Sequence, residues 1–102
     1  MAFSSSLTNA PNSNTAAVVT LAANPVGVNR ISLVQWSYSN TPTNGTLTIA
    51  DGVTTVCKHY ITASGPGSLQ FGANATGSTN TAMTVTLSAG GSGVSGSVTV
   101  IE

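Results

Sequence analysis

Charged side chains are almost absent from this 102-residue chain. Only Arg30, Asp51, Lys58 and Glu102 carry charge, which is 4% of the residues, and the net charge is zero. Ordinary globular domains have about 25% charged residues. Nucleic-acid binding draws most of its affinity from Lys and Arg side chains that neutralise phosphates, so two basic residues exclude nucleic acid as a partner. A basic patch for an anionic membrane surface is excluded for the same reason.

Cysteine and long apolar runs are also scarce. The single cysteine, Cys57, rules out an internal disulfide. No apolar run approaches the ~20 residues that cross a bilayer, so we expect no membrane association. The first residues, MAFSSSLTNAPNSN, contain neither the basic nor the apolar segment of a signal peptide. We therefore expect synthesis in the cytoplasm without an export signal.

Hydroxyl and amide side chains take the place of the missing charges. Ser, Thr and Asn together make up more than a third of the residues. A net charge near zero promotes association, so this surface suits a protein that sits packed in an assembly. The length fits one domain. We expect residues 1–14 to form an extended N-terminal arm and residues 15–102 to form the folded domain.

Short apolar-polar alternations separated by turn residues predict an all-β fold, and no helical periodicity is evident. Asp51 and Gly52 predict a tight hairpin. The glycine-rich stretch 90–96 indicates a hairpin between the last two strands, although it is long enough to join strands of different sheets. We expect a single antiparallel β-sandwich or jelly roll of about seven short strands. The predicted strands cover residues 15–23, 30–39, 46–50, 54–63, 68–72, 82–89 and 97–102.

The strand RISLVQWSYS changes the parity of its apolar residues. Ile31 and Leu33 occupy odd positions, whereas Val34, Trp36 and Tyr38 occupy even ones. Either both faces of this strand are covered, or a bulge between Leu33 and Val34 switches the buried side. The first alternative makes Ile31 and Leu33 interface candidates. Tyr38 is a third candidate, because its ring suits a core or an interface equally, while Trp36 favours the core.

The segment TVCKHYI gathers the reactive side chains of the chain. On a strand, Cys57 and His59 share one face, and Lys58 and Tyr60 share the other. A Cys–His nucleophile also needs a group that orients the imidazole and a donor for the oxyanion, and neither is evident. One Cys, one His and two acids do not provide a four-ligand zinc site within one chain, although His59 residues meeting on a symmetry axis stay an alternative. We therefore expect no catalytic residues, no metal site and no cofactor.

Two segments carry a resemblance to known proteins. NRISLVQWSYSNTPTNGTLTIADG and NTAMTVTLSAGGSGVSGSVTVI resemble small accessory virion proteins of tailed bacteriophages, namely head decoration or cement proteins, and related β-sandwich fibre domains. The likeness covers roughly residues 28 to 102. It implies a small non-enzymatic protein that oligomerises, often as a trimer, and binds the major capsid protein or other virion subunits. Location in the virion is then expected.

Two other functions stay open from the sequence. One is a carbohydrate- or receptor-binding β-sandwich module of a phage fibre or adhesin, for which an exposed Trp36 and Tyr38 would form a stacking surface. The other is a small hydrolase that uses Cys57 and His59. We also expect a homo-oligomer, with a trimer favoured, because the odd face of RISLVQW needs cover if the even face fills the core.

Overall fold

Eight β-strands and no helix make up the described part of the chain. The computed structural model describes residues 6–102, apart from the side chains of residues 72–75. Within this part, no helix is long and apolar enough to cross a membrane. The strands are β1 (Ser6–Asn9), β2 (Ala17–Leu21), β3 (Arg30–Tyr38), β4 (Gly45–Asp51), β5 (Thr54–Ile61), β6 (Gly65–Thr76), β7 (Met83–Leu87) and β8 (Gly96–Ile101).

The strands form two four-stranded antiparallel sheets with jelly-roll connectivity. Sheet A has the order β1-β8-β3-β6, and sheet B has the order β2-β7-β4-β5. The pairs β1·β8, β2·β7, β3·β6 and β4·β5 are nested, since the first strand pairs with the last and each next strand with the next to last. A long folded hairpin wrapped into two sheets has this pattern, which defines a jelly roll. The expected all-β sandwich is confirmed.

The core fills the space between the two sheets. Every second residue of each central strand points inward, as strand geometry requires. In sheet B, strict alternation in MTVTL and GTLTIAD buries the apolar residues and leaves threonines on the other side. The largest fully buried side chains are Tyr38, Leu21, Ile31, Leu47, Ile49, Met83, Leu87, Val34, Val85, Val98 and Val100.

Three elements differ from the expectations. The polar segment Ser6–Asn9 is a strand that pairs with β8 of its own chain, so this part of the expected arm belongs to the sandwich. The segment Gly65–Thr76 is one long strand, although residues 73–80 were expected to be loop. Pro66 is tolerated there because β6 is the edge of sheet A, where proline needs no partner on its outer side. The glycine-rich stretch joins β7 of one sheet to β8 of the other, so they do not form a hairpin.

An irregularity in the pairing of β3 with β6 resolves the change of parity. Pairing of β3 with β6 shifts register between Ile31 and Leu33, one residue earlier than expected. The shift returns Ile31 to the core, where it is 0% exposed, while Leu33 stays half-buried on the outer face. Tyr38 is also in the core, 1% exposed, and its hydroxyl donates a 2.7 Å hydrogen bond to the carbonyl oxygen of Ser88. Of the three interface candidates, Ile31 and Tyr38 are thus corrected to core residues.

The buried side-chain amide of Asn29 links the β2–β3 and β6–β7 connections at one end of the sandwich. Asn29 Nδ2 donates to the carbonyl oxygens of Ala22 at 2.9 Å, Thr81 at 3.3 Å and Leu21 at 3.4 Å. The two N–H groups of this amide are shared among three carbonyls, from the end of β2, the residue after it and the β6–β7 connection, which offsets the cost of burying the amide.

Candidate functional site

The outer faces of both sheets are polar but nearly uncharged. On sheet B the outward positions of the two central strands are mainly threonines, and Lys58 is the charged residue within the described outward positions of β2, β7, β4 and β5. On sheet A the outward residues of β3 and β8 are hydroxyl, amide and apolar side chains, apart from the exposed Arg30 at the start of β3. A binding partner could form hydrogen bonds and van der Waals contacts with such faces, but few ion pairs. The outward threonines of sheet B include Thr20, Thr46, Thr48, Thr84 and Thr86.

One end of the outer face of sheet A is apolar. Leu33 lies opposite Ile101 of β8, and both side chains are half-buried. Ser6 continues this row on β1, and Gln70 continues it on β6. Of the three predicted interface residues, Leu33 alone lies on this surface, since Ile31 and Tyr38 are buried.

A second apolar feature follows edge strand β5. Val56 is 46% exposed and Tyr60 is 68% exposed on the outward side, and Val53 at the preceding turn is also exposed. The ammonium of Lys58 lies 5.4 Å from the centroid of the Tyr60 ring, a cation–π arrangement. These residues, Val53, Val56 and Tyr60, are called the β5 stripe below. Because β5 is an edge strand, the stripe borders unpaired backbone groups.

Cys57 and His59 lie on the inward side of β5, as the alternation predicts. Cys57 pairs with Ile49 and His59 with Leu47, and both side chains are half-buried. The imidazole packs on the indole of Trp36, with ring centroids 5.3 Å apart and planes tilted by 48°. Within the described residues, no three His, Cys, Asp or Glu side chains come close enough to hold a metal ion.

Two depressions meet at Trp36. The larger, about 480 Å³, lies on the outer face of sheet A and is lined by hydroxyl and amide side chains. The smaller, about 230 Å³, lies at the edge between β5 and β6 beside His59 and Tyr60. Trp36, Pro66 and Gly67 line both depressions. A Cβ on Gly67 would come within 2.4 Å of the Trp36 ring, so only glycine lets β6 pass this close to the indole. We call this pair of depressions the Trp36 groove.

The sequence indicated Trp36 as a core residue but not the groove around it. The outward polar positions that line the larger depression, among them Gln35, Ser37 and Ser97, are visible as every second residue of two strands. The residues of β6 that adjoin these positions could not be recognised from the sequence, because Gly65-Pro66-Gly67 is typical of a turn between strands. Only the nested pairing brings β6, β3 and β8 side by side.

Asp51 ends β4 and holds a neighbouring loop. Its Oδ2 accepts a 2.6 Å hydrogen bond from the Ser78 hydroxyl, and its Oδ1 accepts a 3.1 Å bond from the Ser78 backbone N–H. These bonds favour the ionised carboxylate and hold the pKa of Asp51 below its ordinary value of 3.8. A structural role follows, since the contact joins the β4–β5 hairpin to the β6–β7 connection.

Comparison with known proteins shows the fold and no more. No protein-family model matches the chain, and no curated protein matches it. The crystal structure of PirA is similar with a TM-score of 0.56 and 12% identity, covering 100% of this chain and 95% of that chain. The crystal structure of Yersinia pseudotuberculosis-derived mitogen is similar with a TM-score of 0.50 and 8% identity, covering 99% and 86%.

A third similar structure is that of infectious bursal disease virus Gx strain. It matches with a TM-score of 0.31 and 15% identity, covering 98% of this chain but 32% of that chain. At such a score it carries no argument about this protein. None of the three structures bears on phage decoration, which stays a prediction.

Proposed function

We propose that this chain is a non-enzymatic structural virion protein, a capsid decoration protein that binds the assembled head of a tailed phage. The observation that carries the proposal is the nearly uncharged outer surface of both sheets, combined with exposed apolar side chains on β5. Isolated proteins usually keep ionic groups at such positions for solubility. For a subunit that stays packed against its neighbours, the absence of ionic groups is favourable, because burying an unpaired charge costs free energy.

The proposed oligomer is a homotrimer that uses the Leu33 end of sheet A. Leu33 and Ile101 form the apolar centre of this surface, and the surrounding Ser6 and Gln70 are polar and exposed. An apolar centre with a polar rim is the usual anatomy of a protein interface.

The proposed contact with the capsid is the β5 stripe. Tyr60 is an exposed aromatic residue of a type enriched at binding hot spots, and Val56 adds apolar area next to it. The unpaired edge of β5 also offers backbone hydrogen bonds to a strand of the partner. Since the β5 stripe contains no charged residue and only Lys58 lies beside it on β5, the contact should depend little on ionic strength.

Binding to isolated heads tests this proposal. Heads of the phage that encodes the chain, made without it, are mixed with purified protein and recovered by sedimentation. Retention should persist from about 0.1 to about 1 M salt, because apolar contact is not screened. Val56→Asp should lower retention at least tenfold, which corresponds to about 1.4 kcal/mol.

Val18→Asp is the matched control for that experiment. Val18 is 41% exposed on the outer face of the same sheet, close to the 46% of Val56, but lies on the opposite edge strand. Retention of this variant should equal that of the wild type. Absence of binding by the wild-type protein, or equal loss in both variants, would contradict the proposed contact.

A further inference from the structure

The Trp36 groove has a lining suited to an uncharged, hydroxyl-rich ligand. In the larger depression the side chains are those of Gln35, Ser37, Ser68, Ser97 and Thr99, beside Trp36 and Pro66. Each hydroxyl can donate one hydrogen bond and accept others, and the amide does both. No Lys, Arg, Asp or Glu lines either depression in the described part of the chain. An anionic ligand such as phosphate would find no cation there, and a cationic ligand would find no carboxylate.

The smaller depression adds ring surfaces to these polar groups. The exposed ring of Tyr60 and the half-buried imidazole of His59 line it, and the Trp36 indole beneath the imidazole is 8% exposed. Threonine and serine hydroxyls of the β5–β6 connection, Thr62 and Ser64, complete the lining. Flat rings beside hydroxyl groups match a pyranose, which presents an apolar C–H face and a rim of hydroxyls.

The two depressions adjoin at β6, because Trp36, Pro66 and Gly67 line both of them. Since β6 is the edge strand of sheet A, the outer face of the sheet and the open side of the sandwich meet along it. An elongated ligand could therefore contact the hydroxyl-lined face and the ring-lined edge at once.

We propose that the Trp36 groove binds a short neutral oligosaccharide. The lining disfavours charged ligands. The larger depression supplies hydrogen-bond donors and acceptors, and the smaller depression supplies aromatic rings. The site does not rest on the proposed role in the virion, although Tyr60 belongs to both the groove and the β5 stripe.

The only tryptophan of the chain reports directly on this site. Maltotriose, cellotriose, chitotriose and galactotriose are titrated separately into the protein, and Trp36 emission is recorded, with glycerol at equal mass concentration as the solvent control. At least one trisaccharide should give a saturable change that glycerol does not give. Inorganic phosphate should give none.

Groove variants separate binding from a general effect of sugar on the protein. Gln35→Ala combined with Ser97→Ala should raise Kd at least tenfold, because two hydrogen bonds are lost at about fivefold each. His59→Ala should also raise Kd. The matched control, Thr20→Ala combined with Thr86→Ala, removes outward hydroxyls from sheet B and should leave Kd unchanged. Circular dichroism and thermal melts establish that each variant is folded.

Two results would overturn the site. One is the absence of a saturable change with all four trisaccharides. The other is an equal Kd in the groove variant and the wild type, both being folded, since the emission change would then arise elsewhere. Loss of head binding with intact sugar binding would contradict the decoration proposal alone.

Discussion

Asp51 shows how a single side chain links two connections of the jelly roll. Its two hydrogen bonds from Ser78 lower the pKa of the carboxyl in the folded state. A carboxyl with a lowered pKa contributes stability at pH values above its unfolded pKa, and the contribution disappears as pH falls through the folded pKa. The affected window therefore begins near pH 3.8 and extends below it.

Asp51→Asn should remove that part of the pH dependence. At neutral pH the variant should melt at a lower temperature than the wild type, because the ionised acceptor of the Ser78 bonds is gone. As pH falls below the ordinary value of 3.8, the two melting temperatures should converge. Thermal unfolding followed by circular dichroism from about pH 7 to about pH 2 measures this. A constant difference over the whole range would show that the charge of Asp51 has no role.

Cys57 and His59 are predicted to be dispensable for assembly. Within the described residues their side chains contact the core and Trp36, and no third catalytic group accompanies them. Cys57→Ser combined with His59→Ala should therefore leave head binding at the wild-type level. The serine should cost about 1–3 kcal/mol or less, since Cys57 is only half-buried. Loss of head binding by a correctly folded double variant would speak against the non-enzymatic proposal.

At the scale of strands, β3 carries the most informative difference between pattern and structure. Its sequence shows that the buried side changes, and both explanations are compatible with the alternation. The irregular pairing with β6 switches the buried side, so Ile31 lies in the core. Leu33 stays on the outer face. Local pattern contains no information on where β6 loses register, because the register depends on residues about forty positions away.

Leu33→Asp should dissociate the oligomer and leave a folded monomer. The side chain is half-buried on the outer face, so a carboxylate there meets solvent in the monomer but would be buried in the proposed interface. The monomer should lose no more than about 1 kcal/mol of unfolding free energy. Sedimentation velocity gives the mass, and chemical unfolding gives the stability.

Gln70→Asp provides the control for Leu33→Asp. Gln70 pairs with Leu33 on β6 and is exposed at the polar rim, so a charge there should leave the mass unchanged. A Leu33→Asp protein that is unfolded, or one that keeps the wild-type mass, would contradict an interface at Leu33.

At the scale of the whole molecule, composition and alternation predict the sandwich, but not which strands neighbour each other. The inward residues of β7 and β4 follow from strict alternation of apolar residues and threonines. The nested pairing of a jelly roll joins strands that are distant in sequence, such as β1 and β8, so no local pattern reveals it. For the same reason the Trp36 groove, built from three strands of sheet A and the end of β5, could not be predicted.

The copy number of this protein in purified phage particles tests the proposed function most directly. Under the proposal, a phage encodes the chain; its particles are purified by density gradient, and the protein is quantified by mass spectrometry against the major capsid protein. A head decoration protein should be present in a fixed ratio to the capsid protein. The ratio should stay constant after a wash with about 1 M salt, where ionic contacts are screened beyond about 3 Å. Absence of the protein from washed particles that retain their capsid protein would contradict the account.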